Sequence, residues 1–281
     1  MTKNLLVLLG TILVLLIGAE VVLNIFDPWG VHYFDDLASV WDNTVAHPDR
    51  IDVISPGVYR FSNWTVTELE GYTRAVPDNM KGSCKVVFVG DSVTWGHGVN
   101  DKDTWVNLVA AQLPETNVIN AGFEGYNSEN VKGTLKDFPD AKLLVYLIIG
   151  NDAEPTTGLL RQTRASMMKK YLTFFFKEIL KTDSNRAANA DTIATSDSTI
   201  YNRFRADIEA MSHDKRVVFI GFDEPLSNSL KPAYHVNTIP LYTNHISLAD
   251  PHPSARGHQQ VAESILPIVQ KAIENQCYSQ N

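Results

Sequence analysis

The chain has 281 residues, of which 44% are hydrophobic and 20% are charged, and its formal net charge at pH 7 is −8. This composition is that of a folded protein and argues against global disorder. The acidic balance and the lack of a basic cluster argue against nucleic acid as a partner. The length allows one sizeable domain with appendages or two small domains.

The first 26 residues are almost purely apolar. They carry one cation, Lys3, and no further charge until Glu20. A stretch of this length can cross a bilayer as a helix. Ile17 stands where signal-peptide cleavage would require a small residue. We therefore interpret residues 1–26 as an uncleaved transmembrane anchor, with a cleaved signal sequence as the alternative. Either reading exports the rest of the chain, to the periplasm or the cell surface, and the acidic residues from Asp27 onward keep the amino terminus inside.

Residues 27–83 form a connecting and packing segment with one alternating stretch, "VYRFSNWTVTEL", that predicts a short hairpin. A different pattern, with strands alternating with helices, occupies residues 84–281 and predicts a single domain. Cys84 precedes its first strand and Cys277 follows its last helix. A disulfide between the two is geometrically possible, and two free thiols are the alternative.

The strands of this domain are continuous apolar runs, which is the pattern of a parallel sheet covered on both faces. They are "KVVFVG", "NVIN", "KLLVYLIIG", "RVVFIGF" and "HVNTIPL", and the amphipathic helix "ARGHQQVAESILPIVQKAIENQ" closes the chain. Alternating strands and helices predict an α/β fold, a three-layer α/β/α sandwich with a central parallel sheet.

An inserted helical and loop region covers about residues 153–215 and fits this alternation least well. Its aromatic run, Tyr171–Phe176, could lie on a membrane surface beside the anchor. We favour the alternative, in which the helix caps the domain and its aromatic side chains are buried.

Residues that could perform acyl transfer stand at the strand ends. "GDS" with Ser92 follows the first strand, "NAG" with Gly122 the second, and "GND" with Asn151 the third, while Asp250 and His252 precede the last helix. A serine nucleophile needs a base, the base needs an orienting anion, and the oxyanion needs N–H donors. These residues predict Ser92 as nucleophile, His252 as base and Asp250 as the orienting acid. Ser92 N–H, Gly122 N–H and the Asn151 amide would form the oxyanion hole.

The four blocks "VFVGDSVTWGHGV", "NAGFEGYNS", "GND" and "DPHPSARGH" resemble the successive motifs of the SGNH hydrolase superfamily, also called GDSL esterases/lipases. The resemblance covers about residues 84–275 and is strongest to exported bacterial members with an amino-terminal membrane helix. It implies a flavodoxin-like fold, serine hydrolysis of an ester and no cofactor. Nothing in the sequence suggests a metal site. In this family the acid usually stands three residues before the histidine, where this chain has Ala249, so a Ser–His dyad is the alternative.

The α/β-hydrolase scaffold fits less well, because its Gly-x-Ser-x-Gly elbow would need glycine where Thr94 stands. His97, close to Ser92 in sequence, is interpreted as an exposed loop residue. The sequence predicts a serine esterase acting on an O-acyl group, acetyl being the simplest, of an envelope glycan or small ester. The alternatives are an O-acyltransferase, a lipid esterase and a non-catalytic glycan-binding envelope protein. The oligomeric state stays open.

Overall fold

The computed structural model describes residues 2–154, 167–175 and 198–278. Helix α1, Thr2–Phe26, comes first. It is long and apolar enough to cross a membrane, with a mean hydropathy of 2.7, and the described chain leaves its most apolar stretch unburied. The amino-terminal segment is therefore a helix of the kind that the sequence predicts.

Eight of the strands in the described residues form one sheet, and two form a separate antiparallel hairpin. The hairpin is β1 (Thr44–His47) with β2 (Ile51–Ile54). The sheet contains β3 (Gly57–Arg60), β4 (Thr65–Leu69), β5 (Thr73–Arg74), β6 (Cys84–Val89), β7 (Thr116–Asn120), β8 (Leu143–Ile148), β9 (Val217–Phe222) and β10 (Asn237–Ile239). Their spatial order is β10-β9-β8-β6-β7-β5-β4-β3.

The five strands from β10 to β7 are parallel, and β6 lies at the centre between β8 and β7. The other three, β5, β4 and β3, continue the sheet in antiparallel pairs. The sheet is thus mostly parallel, as the apolar strand pattern predicts, with an antiparallel edge. Strands β3 and β4 of this edge are the hairpin that "VYRFSNWTVTEL" predicts. The sequence did not show that β5 joins this hairpin to the parallel strands.

Helices cover both faces of the sheet. In the described residues the helices after α1 are α2 (Tyr33–Asp42), α3 (Ser92–Trp95), α4 (Trp105–Ala110), α5 (Ser128–Leu135), α6 (Met167–Phe174), α7 (Ser198–Ser212), α8 (Pro225–Tyr234) and α9 (Ala255–Ile273). Val86 and Phe88 of β6 pack with α4 and α9. Val87 and Val89, which point the opposite way, pack with α5, α7 and α8. This arrangement confirms the three-layer sandwich.

Residues 27–83 contribute α2, the small hairpin and the antiparallel edge, so they pack into the same body as the residues after 84. The predicted inserted region, about 153–215, lies largely outside the described residues. Within its described part are α6 and α7. Tyr171 and Phe174 of α6 are buried against Trp29. This burial confirms the capping interpretation for these two side chains. Phe175 is half-buried and stacks on Trp29, and Phe176 lies outside the described residues.

Cys84 and Cys277 form a disulfide, with their Cα atoms 5.9 Å apart. Cys84 begins the central strand, and Cys277 lies in the helical turn Glu274–Tyr278 that follows α9. The bond ties the carboxyl terminus to the amino end of the sheet and closes a loop of 193 residues. Of the two alternatives that the sequence left open, the structure has the bridge, which suits an exported protein.

Replacing both cysteines with alanine should lower the free energy of unfolding by about 2–4 kcal/mol, because the long loop is no longer closed in the unfolded chain. Urea denaturation of the oxidised wild type and of the double variant measures this difference. The wild type in reductant is the matched control and should unfold at the midpoint of the double variant. A double variant as stable as the oxidised wild type would show that the bridge contributes nothing.

Candidate active site

Ser92 lies where the central strand β6 passes into the short helix α3. Gly90 turns the chain with a φ of 150°, a conformation that side chains disfavour. Asp91 is the N-cap of α3, and its carboxylate accepts a hydrogen bond from the Val93 N–H at 2.9 Å. Ser92 therefore stands at the carboxyl end of a parallel strand, where ligands bind in open α/β sheets. Only 4% of its surface is exposed.

Ser92, His252 and Asp250 form a continuous chain of hydrogen bonds. The Ser92 Oγ lies 2.9 Å from His252 Nε2 and 3.0 Å from an Asp91 carboxylate oxygen, so its proton can go to either. His252 Nδ1 lies 2.7 Å from Asp250 Oδ1, and the His252 backbone N–H donates to that same oxygen at 3.0 Å. The two-residue spacing between acid and histidine therefore allows direct contact. One oxygen of the Asp250 carboxylate hydrogen-bonds to both the ring and the backbone N–H of His252.

Charges around the imidazole set its protonation. Burial acts to lower the pKa of His252, but the hydrogen bond to Asp250 and the negative charges of Glu124 and Asp250 outweigh burial and hold that pKa above its ordinary value of 6.5. Burial acts to raise the pKa of Asp250, but the hydrogen bond and positive charge of His252 hold it below its ordinary value of 3.8. Near neutral pH, Asp250 is thus a carboxylate, and its charge stabilises the imidazolium form of His252.

The predicted oxyanion donors come from three strand ends. Ser92 begins α3, so its backbone N–H has no partner within that helix. The Gly122 N–H donates to the Asn120 side-chain oxygen at 3.2 Å, which is a long hydrogen bond. Asn151 lies in the 3₁₀ turn Gly150–Ala153 directly after β8, is exposed, and its amide makes no hydrogen bond to a described residue.

Gly122 lies against the backbone of α3. A Cβ placed on Gly122 would come within 2.6 Å of the Trp95 nitrogen and 2.8 Å of the Thr94 side chain. No side chain fits in that space without moving the helix that begins with Ser92. The glycine of "NAG" is therefore required by close packing of two strand ends, independently of any role in binding.

A buried arginine holds the loop after α3. Arg74, from the antiparallel strand β5, donates to the carbonyl oxygens of Trp95 at 2.8 Å, Gly96 at 2.6 Å and Val99 at 2.5 Å. Its Nε lies 2.8 Å from the Asp101 carboxylate, which balances the buried charge. The antiparallel edge of the sheet thus fixes the loop that carries His97.

His97 is buried beside the hydrogen-bonded chain, so the exposed-loop interpretation was wrong. Only 1% of its surface is exposed. Its ring stacks on that of His252, with centroids 4.4 Å apart, and its Nδ1 lies 2.8 Å from the Glu124 carboxylate. Its Nε2 is 3.8 Å from Asp250. His97 lies within the block "VFVGDSVTWGHGV" and Glu124 within "NAGFEGYNS", but nothing in either block indicated that the two side chains pair.

Donor atoms of His97, Asp250 and His252 lie within 4.8 Å of one another, as a metal site would require. Three of the four imidazole nitrogens, however, face Glu124, Asp250 and Ser92. The atoms left over are one histidine nitrogen and one carboxylate oxygen. That is fewer than the three or four protein ligands of a zinc site, so the hydrogen-bonded arrangement accounts for this cluster better than a metal does.

Residues 88–260 match the GDSL-like lipase/acylhydrolase family. The matched range is more than half of the chain and includes all five predicted site residues. The chain belongs to the GDSL-like lipase/acylhydrolase family. It is therefore an ester-hydrolysing enzyme.

Several solved structures are similar to this GDSL enzyme. A lipolytic G-D-S-L family protein from Veillonella parvula is 15% identical, with a TM-score of 0.41 over 67% of this chain and 100% of that one. An M. smegmatis aryl esterase is 9% identical, with a TM-score of 0.41 over 68% and 100% of the two chains. A carbohydrate acetylesterase family member from Sinorhizobium meliloti is 14% identical, with a TM-score of 0.38 over 68% and 99%. No curated protein sequence matches the chain.

Tyr33 reaches the site from outside the range matched to the GDSL family. Its ring centroid lies 5.2 Å from that of His97 and 5.7 Å from that of His252. Burial, and then the negative charges of Glu124 and Asp250, raise the pKa of Tyr33 well above its ordinary value of 10. Tyr33 is therefore a neutral phenol against the two imidazoles. The sequence pointed to no such residue, since Tyr33 is 59 positions before Ser92 and belongs to no motif.

Gly122→Ala should destabilise the enzyme by about 1–3 kcal/mol, because the added methyl group forces α3 to move. Gly150→Ala is the matched control at another strand end, where the nearest atom to an added Cβ is a Glu224 oxygen at 3.6 Å. The control should stay within about 0.5 kcal/mol of wild type. Urea unfolding measures both, and equal stability of the two variants would contradict the close packing at Gly122.

Proposed function

We propose that Ser92, His252 and Asp250 are the catalytic triad of this esterase. The single observation that carries the proposal is the unbroken chain of hydrogen bonds from the Ser92 hydroxyl through both ring nitrogens of His252 to the Asp250 carboxylate. A nucleophile, a base and an orienting anion in that order are what acyl transfer to serine requires. The buried Asp250 fixes the ring orientation and stabilises the imidazolium.

The mechanism follows from this geometry. Ser92 Oγ attacks the ester carbonyl carbon, and its proton passes to His252 Nε2. The tetrahedral intermediate collapses, the bond to the alcohol oxygen breaks, and His252 gives its proton to that leaving alcohol. Water then attacks the acyl-serine and gives a proton to His252. The bond from the acyl carbon to Ser92 Oγ breaks, His252 returns the proton to Oγ, and the carboxylic acid leaves. No cofactor takes part in these steps.

The developing oxyanion would be stabilised by the N–H groups of Ser92 and Gly122 and by the Asn151 side chain. The Ser92 N–H and the Asn151 amide have no competing acceptor among the described residues, and the Gly122 N–H is held by only one long hydrogen bond. Preorganised donors of this kind contribute about 3–4 kcal/mol each to acyl transfer. Asn151 also stands on an exposed turn, where a substrate can reach it.

His97 and Glu124 would act on His252, the base, rather than on the substrate. The ring of His97 stacks on that of His252 and restricts its movement, and the Glu124 carboxylate stabilises positive charge on His252. Both are positioning residues, because they act on the substrate only through His252 and Asp250.

We further propose that α1, residues 1–26, anchors the enzyme in a membrane, with the hydrolase domain of residues 84–281 on the extracytoplasmic side. The exposed apolar helix, the acidic residues that follow it and the disulfide support this location. In that compartment the enzyme would remove an O-acyl group, acetyl being the simplest, from an envelope glycan or a small ester. Residues 27–83 would connect the anchor to the domain.

Ser92→Ala and His252→Ala should each reduce kcat/KM for p-nitrophenyl acetate by at least about 10³-fold, because each removes a group that the acyl transfer needs. Asp250→Asn should lose more than about 10²-fold, since the ring then lacks its anion. Ser212→Ala and His213→Ala, two exposed residues at the end of α7, are the matched controls and should retain wild-type rates. A variant of Ser92 or His252 that is folded and active would overturn the triad.

The acid limb of the pH–rate profile should lie above pH 6.5, because catalysis needs the neutral imidazole and the site raises the pKa of His252. Glu124→Gln removes one of the charges that raise this pKa, so it should move the limb to lower pH. The carboxyl groups of Asp91 and Asp250, the other two that raise this pKa, are unchanged in the variant. Measurement of kcat/KM from pH 5 to 9 gives the shift, and a limb that stays fixed or moves upward would contradict the role of Glu124.

A further inference from the structure

The carboxyl end of α1 is bonded to α6. Glu20 is the only charged residue between Lys3 and Asp27. Its two carboxylate oxygens accept hydrogen bonds from the backbone N–H groups of Met167 at 2.7 Å and Met168 at 2.9 Å. Glu20 lies six residues before the end of α1, which is about 9 Å along a helix. Helix α6 therefore begins beside the last two turns of α1.

The connection between α1 and the domain is short, and hydrogen bonds and an ion pair hold it in one conformation. The Asp27 carboxylate accepts hydrogen bonds from the Val31 and His32 N–H groups, both at 2.9 Å, and from the Tyr171 hydroxyl at 2.7 Å. Lys170 of α6 forms an ion pair with Asp35. Every one of these contacts joins the residues just after α1 to one another or to α6. The anchor thus leads into the domain through a fixed turn.

The same turn supports the loop that carries Asp250 and His252. The Trp29 carbonyl accepts a hydrogen bond from the Ala249 N–H at 2.8 Å. Gly30 lies so close to the loop that an added Cβ would be 2.1 Å from the Ser247 hydroxyl oxygen. Trp29 is three residues from Phe26, and Ala249 is three residues from His252. At about 3.5 Å per residue, His252 lies within about 25–30 Å of the end of α1.

Large apolar side chains are exposed around this turn. Phe26, at the end of α1, is 73% exposed. Leu172, next to the buried Tyr171 of α6, is 52% exposed, and Leu248, between Ser247 and Ala249, is 60% exposed. Each is adjacent in sequence to a residue of the turn or to one that contacts it. The three exposed side chains therefore lie close to the end of α1, and we call Phe26, Leu172 and Leu248 the membrane-facing surface.

We propose that this surface rests on the bilayer that α1 crosses, and that the active site consequently takes its ester from molecules held in the membrane. The occupant is the lipid surface, because these exposed apolar side chains lie beside the end of the anchor, and the hydrogen-bonded turn keeps them at a fixed distance from it. The substrate class is an amphiphile whose acylated head group stands above the lipid surface within reach of Ser92. This inference rests on the proposed esterase function and on anchoring by α1.

Depth in the bilayer is tested first, without any need for catalysis. The full chain, reconstituted in phosphatidylcholine nanodiscs, carries one added cysteine labelled with the fluorophore NBD, and the native cysteines are paired and do not react. L248C labels the proposed surface. S212C is the control, because Ser212 is exposed at the end of α7, before the amino end of β9 and opposite the active site.

Doxyl-labelled phosphatidylcholine should remove most of the fluorescence of the L248C label and leave the S212C label unchanged. If the L248C label is no more quenched than the S212C label, the membrane-facing surface does not contact lipid and the proposal is wrong. The quenching measurement does not depend on activity, so the proposal can fail while p-nitrophenyl acetate is still hydrolysed.

The substrate class is tested with two esters that share one head group, methyl 6-O-acetyl-glucoside and dodecyl 6-O-acetyl-glucoside. The nanodisc-bound enzyme should release acetate from the dodecyl ester at least about tenfold faster, since the membrane concentrates it at the site. The double variant L172D/L248D should lose this ratio, and Leu69→Asp, at an exposed leucine on β4, should keep it. Equal rates for the two esters, or an unchanged ratio in the double variant, would overturn the proposal. If p-nitrophenyl acetate is also left intact, the esterase mechanism itself fails.

Discussion

The hydrogen bond between the Asp250 carboxylate and the His252 ring is the contact on which the proposed site depends. Both residues belong to one loop, and the same carboxylate oxygen also receives the His252 backbone N–H. Other hydrogen bonds support this loop. The Ile246 N–H donates to the His252 carbonyl, and the Trp29 carbonyl receives the Ala249 N–H, so bonds within the loop and to the turn after α1 keep it in place. The distance from His252 to Ser92 follows from these contacts.

Several acidic groups lie around the His252 imidazole, and their negative charge raises its pKa. Asp91, Glu124 and Asp250 all favour the imidazolium, the form that His252 takes when the serine proton has moved. Burial acts to lower the pKa of His252, and the combined effect of these carboxylates is larger. The stacked ring of His97 and the neutral phenol of Tyr33 pack against the ring. In the proposed mechanism this arrangement stabilises the imidazolium before any substrate arrives, which is how electrostatic preorganisation accelerates acyl transfer.

The parallel strands and the five motif residues could be predicted because each leaves a local mark in sequence. Ser92 and Gly122 follow apolar runs, and the ends of parallel strands meet at one edge of a sheet. Arg74 and Tyr33 left no such mark, since their partners are 21 or more residues away. The antiparallel edge brings Arg74 near its partners, and the turn after α1 brings Tyr33 near its own. His97 was misjudged for the same reason, because its hydrogen-bond partner Glu124 follows a different strand. A local sequence pattern does not show which distant residues will pair when they are buried.

The most direct test of the central claim is to find which serine reacts and whether His252 activates it. The full-length protein is treated with a fluorophosphonate, digested, and its adduct located by mass spectrometry. The account predicts one modified serine, Ser92, with modification slowed by orders of magnitude in His252→Ala and unchanged in His213→Ala. An adduct at another serine, or a rate at Ser92 that does not depend on His252, would contradict it.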